Sequence, residues 1–258
     1  MKLYISAVFQ NKKVVCTSEQ EKLEEFIDFS KLHILQSFAY ASACDCEKFC
    51  LCKDFLMDSG AFTIMNSKSS RKNFDIVQFT KEYGAFVKKW NVKDFIELDV
   101  DSVFGMQTYR DCLHMLQDIT GRDPIRVMHT WRGKEYYEEL TKKKDFVCLG
   151  GIAGTQNMNL ARSNLQWFVD TAHKNNCKIH GLGIGTINLI RRYKFDSVDS
   201  ANWCSAHRFG ALLRFNGHEL CKYNGSEGAG KNEHIATNFV ARKSLKEWES
   251  FSHYIDLF

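Results

Sequence analysis

A chain of 258 residues that is 44% hydrophobic, with 20 phenylalanines, has apolar material for one large core, and (β/α) barrels of this length form as single units. Its 35 basic and 31 acidic residues leave a formal charge of +4, which permits a nucleic-acid partner without demanding one. No stretch approaches the ~18 apolar residues of a membrane span, and ten cysteines without a signal peptide read as reduced thiols, so the expectation is a cytoplasmic protein rather than a membrane-bound or disulfide-stapled one.

The apolar run over residues 2–9 is too short to cross a bilayer and lacks a small-residue cleavage site, so it reads as a first strand. Next come two Cys-x-Cys pairs, Cys44 with Cys46 and Cys50 with Cys52. From about residue 54 onward, strand-length apolar runs alternate with helical stretches. The strand candidates are residues 55–57, 95–99, 125–128, 146–149, 178–182 and 195–198. Between them Ile76, Phe79, Tyr83, Phe86, Val87 and Trp90 recur at three- and four-residue spacing, as one buried helix face requires. Leu160, Asn164, Trp167, Phe168 and Ala172 follow a similar pattern. The glycine-rich residues 224–231 lack Walker spacing and read as a flexible loop.

This alternation predicts βαβ units and a parallel sheet. A doubly wound open sheet and a closed barrel compete. Polar residues or glycines end nearly every strand: Asp58, Asp99, His129, Gly150 with Gly151, Gly183 and Asp199. One rim fed by many strands is the active face of a barrel, whereas an open sheet gathers its ligands at a single switch point. The predicted fold is therefore α/β, a single (β/α)8 TIM barrel over residues 1–258. Residues 1–53 would supply the early strands and an N-terminal cover, and residues 211–258 the last strand and closing helices.

Asp199 ends its strand with Arg208 nine residues later, a carboxylate and a cation at fixed reach, as delivery of a nucleophile to a polyanionic substrate requires. Asp196 is the rival nucleophile. Residues three apart in a strand face opposite sides, so at most one of the two points into the barrel. Asp58 is followed by small residues, Ser59, Gly60 and Ala61, which let a backbone approach a ligand closely, although a strand-end aspartate also serves as a plain cap.

Four stations in order over roughly residues 54–210 resemble the tRNA-guanine transglycosylase superfamily, most closely its DNA-acting branch, the deazaguanine DNA transglycosylases of phages and bacterial genomic islands. Asp58-Ser59-Gly60-Ala61-Phe62 is similar to the family's Asp-Ser-Gly-Gly-Phe segment. Leu98-Asp99 ends a strand where the family places a base-reading aspartate. Leu149-Gly150-Gly151-Ile152-Ala153-Gly154 is similar to its Gly-Gly-Leu-Ala loop. His180 to Thr186 leads to Asp196-Ser197-Val198-Asp199-Ser200, like the family's Gly-Thr helix and Asp-Met-Phe-Asp-Cys segment, and the offsets of Arg208 and Gly210 match.

The resemblance implies a pentosyltransferase that exchanges guanine in a polynucleotide for a 7-deazaguanine base through a covalent aspartyl intermediate, with no nucleotide or redox cofactor. It assigns the nucleophile to Asp199 and the acid/base role to Asp58, in keeping with the paired carboxylates that cleave glycosidic bonds. Asp99, or alternatively Asp101, would accept hydrogen bonds from adjacent donors on the base. Gly150 and Gly151 would make room for the flat ring or form a tight turn. Ser59, Gly60, His129, Asp196 and Arg208 complete the expected substrate-binding set, and Trp203 and Phe62 would either stack on the substrate or belong to the core. DNA is the expected partner, because the chain ends soon after the barrel and no three-cysteine, one-histidine zinc array like that of the tRNA enzymes follows Asp199. The alternatives are a tRNA-directed enzyme, a non-catalytic nucleic-acid-binding barrel, and a hydrolase using Asp58 and Asp99 as metal ligands. Cys44, Cys46, Cys50 and Cys52 could together bind zinc, although structural zinc sites favour Cys-x₂₋₄-Cys spacing and the cluster has no counterpart in the resembled family.

Overall fold

The computed structural model describes residues 1–16, 18–61, 74–151, 164–185, 187–209, 212–222 and 237–257. Eight parallel strands are hydrogen-bonded in the order β4-β3-β2-β1-β8-β7-β6-β5. They are β1 (Lys2–Ser6), β2 (His33–Ser37), β3 (Asp54–Asp58), β4 (Asp94–Phe95), β5 (Arg126–Met128), β6 (Phe146–Leu149), β7 (Lys178–Gly181) and β8 (Ser197–Ser200). The Ile96–Ile125 bridge joins the two ends of this order, with the Glu97 amide donating to Ile125 O at 3.0 Å and the Ile125 amide to Phe95 O at 2.9 Å. Every strand thereby has a neighbour on both sides, and the sheet is the predicted α/β barrel.

The helices follow from sequence in the usual way. In Ile76–Lys89, Asp75 caps the start by accepting from the Gln78 amide at 2.9 Å. Ile76, Phe79, Tyr83 and Val87 face the barrel, and Lys88 and Lys89 sit at the negative end of the helix dipole. Leu165–Lys174 buries Leu165, Phe168, Val169 and Ala172 in the same manner. The C-terminal helix, Thr237–Ile255, closes the wall beside β1, where Ser252 Oγ donates to Leu3 O at 3.0 Å and Ser244 Oγ to Trp203 O at 2.8 Å.

Inside the barrel, Tyr4, Leu35, Leu56, Ile96, Val127 and Cys148 form one apolar layer, with one side chain from each of the first six strands or their extensions. Such a layer makes the interior a packed plug rather than a pore. Below it, at the N-terminal end, Asp54 receives the Tyr4 hydroxyl at 3.1 Å and pairs with Lys2, while His33 Nε2 lies 2.7 Å from Asp256. Above it lies the end that carries the conspicuous polar residues.

Two expectations need correction. The stretch beginning at Leu212 does not supply the last barrel strand: Leu213–Phe215 pairs antiparallel with Leu220–Lys222 in a separate two-stranded ribbon. β8, the strand of Asp199, closes the barrel against β1. The expected strand over residues 95–99 is also shorter, because the buried Glu97 side chain replaces a backbone partner by accepting the Val127 amide at 2.9 Å. The chain then leaves the sheet and carries Asp99 onto the rim.

Candidate active site

Asp58 at the end of β3, Asp99 on the segment that follows β4 and Asp199 near the end of β8 converge on the C-terminal mouth of the barrel. Each is placed by its own local device. Asp58 Oδ2 accepts the Gly60 amide at 3.0 Å, an aspartate turn that bends the chain away after β3. The turn needs glycine: Gly60 has φ +77°, and a Cβ there would fall 2.3 Å from Ser37 Oγ and 2.6 Å from Ala39 Cβ. Ser59 is buried and its hydroxyl accepts the Ala61 amide at 3.3 Å, so Ser59 and Gly60 shape the turn that presents Asp58.

Asp99 lies 2.9 Å through Oδ2 from His129 Nε2, and both residues are buried. Its Oδ1 has no hydrogen-bond partner among the described residues. The imidazole is held from the far side by the glycine pair. A Cβ on Gly150 would stand 2.8 Å from His129 Cε1, and one on Gly151 3.4 Å from Nδ1, with Gly151 at φ +76°. Gly150 and Gly151 therefore serve the site by leaving room for His129. The His129 Nδ1 atom is buried without a hydrogen-bond partner, a state that calls for a functional explanation.

Asp199 is the most thoroughly supported of the three. Its Oδ1 accepts the Gly183 amide at 2.7 Å and lies 3.4 Å from His180 Nε2, and its Oδ2 accepts the Ser6 hydroxyl at 3.1 Å. His180 is oriented in turn by Ser197 Oγ, 2.8 Å from its Nδ1. The Trp203 indole fixes the β1 end by donating to Ser6 O at 2.8 Å, which makes Trp203 a core residue rather than a stacking surface.

The three carboxylates feel one another. Burial and then the Asp99 charge push the Asp58 carboxyl up to about 7, helped less by the Asp199 charge and opposed by the Gly60 and Ser59 amides. Beneath them the enclosed Cys148 thiol is driven well above its ordinary range by burial and by the charges of Asp58 and Asp199, with smaller contributions from Glu97 and Asp99. A carboxyl that titrates near neutrality beside a carboxylate surrounded by donors is the arrangement that separates an acid/base from a nucleophile.

Asp101 does not join this group. Arg132 grips it with Nε at 3.0 Å and Nη2 at 2.8 Å, and the Trp131 indole donates to it at 3.1 Å. That leaves Asp99 as the carboxylate facing the mouth. Asp196 is likewise removed from the site. It precedes β8, near the opposite end of the barrel, and its Oδ2 accepts the Ile179 amide at 2.9 Å with His173 Nε2 at 3.0 Å. Its role is to pair β7 with β8, and the expectation that it binds substrate is withdrawn. Arg208 is exposed on the short helix Ser205–Phe209 that follows β8, with no ion-pair partner among the described residues.

Sequence reasoning did not single out Ser6, His180 or Trp131. Ser6 and His180 are polar residues at inward positions of strands, and that is the signal that identifies them. Trp131 stacks on His129 with centroids 4.1 Å apart and planes 8° from parallel, and no periodicity marks it.

The cysteine segment folds into the helix Ala43–Phe49. Cys46 donates to Ser42 O at 3.2 Å, Cys50 to Glu47 O at 3.0 Å and Cys52 to Lys48 O at 3.5 Å, three separate carbonyls. Among the described residues no group of three His, Cys, Asp or Glu side chains is arranged to hold a metal. The Cys44 side chain, Phe62, Gly210 and the 224–231 loop lie outside the described residues. Among the described residues, no helix is long and apolar enough to cross a membrane. No protein-family model matches this chain and no curated protein is detectably similar to it, so its function is read from the geometry of the site.

Proposed function

We propose that this protein is a base-exchanging transglycosylase that replaces guanine in DNA with a 7-deazaguanine derivative. The observation that carries the reading is the division of labour at the mouth: Asp58 titrates near neutrality because it is buried and faces the Asp99 and Asp199 charges, while Asp199 is surrounded by donors. In this reading an Asp199 oxygen attacks C1′ of the target nucleotide as the bond from C1′ to the base nitrogen breaks. The bonding pair leaves with the base, and the Asp58 carboxyl supplies the proton that neutralises it. In the second half an incoming base gives its proton to Asp58, its nitrogen attacks C1′, and Asp199 departs as carboxylate. Atoms and charges balance over the cycle without a redox partner.

Asp99 Oδ1 has no hydrogen-bond partner among the described residues, and a carboxylate suits the adjacent N–H donors of a guanine-type edge. The target nucleotide has to leave its stack to reach a rim formed by strand ends. The preference for DNA over tRNA rests on the sequence resemblance. Incubation with radiolabelled guanine and either duplex DNA or tRNA tests both: label entering DNA supports the reading, label entering tRNA alone replaces DNA by tRNA, and label entering neither removes the exchange activity.

A further inference from the structure

Resting on that reading, we infer that Trp131 is a stacking platform for an unpaired nucleobase flanking the target nucleotide. Trp131 is 50% exposed, unusual for the largest side chain of a folded protein, yet it is not loose. One face of the indole is covered by His129, 4.1 Å away and within 8° of parallel. Its only polar atom donates to Asp101 at 3.1 Å. Asp101 is in turn clamped by Arg132, which is anchored by Nη1 to Val127 O at 2.6 Å and crossed by the Tyr109 ring at 4.5 Å. The ring is thereby ordered in advance, with half of its surface left exposed.

The platform is also joined to the base-reading position. The same imidazole that backs Trp131 holds Asp99 through Nε2 at 2.9 Å, so the ring stands one residue's width from the carboxylate. A rigid, half-exposed aromatic face beside a pocket for one extruded base is what a polynucleotide needs when a nucleotide has left the stack, because the neighbouring base has then lost a partner. Aromatic platforms bind single-stranded nucleic acid without regard to sequence, since every base has a π face. The unsatisfied His129 Nδ1 lies on the Gly150–Gly151 side. Gly151 also adjoins the indole edge, where a Cβ would stand 3.7 Å from Trp131 Cζ3.

The test measures binding apart from chemistry. Fluorescein-labelled single-stranded DNA with one guanine, and the same strand with an abasic residue on either side of it, are titrated against parent, Trp131→Ala and Trp131→Phe proteins. We expect Trp131→Ala to weaken binding of the intact strand roughly 5- to 100-fold. Trp131→Phe should retain most of the affinity, and one of the abasic strands should be indifferent to the substitution. In the exchange reaction, KM for the polynucleotide should rise in Trp131→Ala and stay near the parent's in Trp131→Phe. The inference is overturned if the parent does not bind the strand, if Trp131→Ala binds it as the parent does, or if both abasic strands lose affinity as the intact one does. Because binding is read without turnover, loss of the exchange activity alone leaves the platform standing and rejects only the catalytic assignment. Thermal denaturation of both variants confirms that each is folded.

Discussion

Replacing Asp58 by asparagine should stabilise the fold at alkaline pH while destroying its chemistry. An unfolded aspartate takes up its proton near 3.8, and Asp58 in the fold does so at about 7. Between these values the folded state binds more protons, so unfolding free energy falls as pH rises from about 4 to about 7 and is level above. The full displacement corresponds to roughly 4 kcal/mol, at ~1.4 kcal/mol per pH unit. Asp58 is partly open to solvent at the mouth, and screening reduces the measurable part to about 1–2 kcal/mol. Asparagine keeps an oxygen for the Gly60 amide and removes the charge facing Asp99 and Asp199. The variant should therefore exceed the parent by about 1–2 kcal/mol at pH 8, some 3–6 °C in Tm for a chain of this size, and the gap should close toward pH 4. Urea unfolding followed by circular dichroism at pH 4.5 and pH 8 measures this, alongside base exchange, which should fall by at least ~100-fold. A pH-independent stability difference, or a variant less stable at pH 8, would refute the carboxylate cluster as described.

Other consequences are equally concrete. Gly150→Ala would place a methyl 2.8 Å from His129 Cε1; displacement of the imidazole from Asp99 should lower exchange ~10-fold or more with little change in global unfolding. Asp196→Ala should cost about 1–3 kcal/mol through the orphaned Ile179 amide and leave kcat within about twofold, a contrast that separates Asp196 from Asp199. At the opposite end, burial opposes charge on His33, but its hydrogen bond to Asp256 and the Asp54 carboxylate 3.7 Å from Nδ1 outweigh that and raise its pKa. That stabilisation is fully present below pH ~6.5 and lost as pH rises through the raised value, so His33→Gln should be more destabilising at pH 6 than at pH 9.

How far the sequence announced all this depends on what each residue answers to. Strands β3 and β6 were readable because buried parallel strands are short continuous apolar runs, and the helix Ile76–Lys89 because its apolar spacing is regular. β8 begins two residues later than its apolar run suggests, and Asp196, just before it, bonds the neighbouring strands through its backbone and its side chain alike. β4 is cut short by Glu97 for the same reason. The aspartates at strand ends were visible because alternation places them on one rim. Their differences were not: what separates Asp99 from Asp101 is an arginine more than thirty residues away, and what separates Asp199 from Asp196 is a set of donors from β1, β7 and the loop after β7. Such partners are assembled by closure of the barrel, and no local pattern encodes them.

If Asp199 is the nucleophile, it becomes bonded to a nucleotide during base exchange. Incubating the protein with guanine-containing DNA, quenching in denaturant and weighing the intact protein, followed by peptide mapping, tests it directly. A protein–DNA adduct should map to Asp199, be absent from Asp199→Asn and be present in Asp196→Ala. An adduct mapped elsewhere, or base exchange undiminished in Asp199→Asn, would contradict that role.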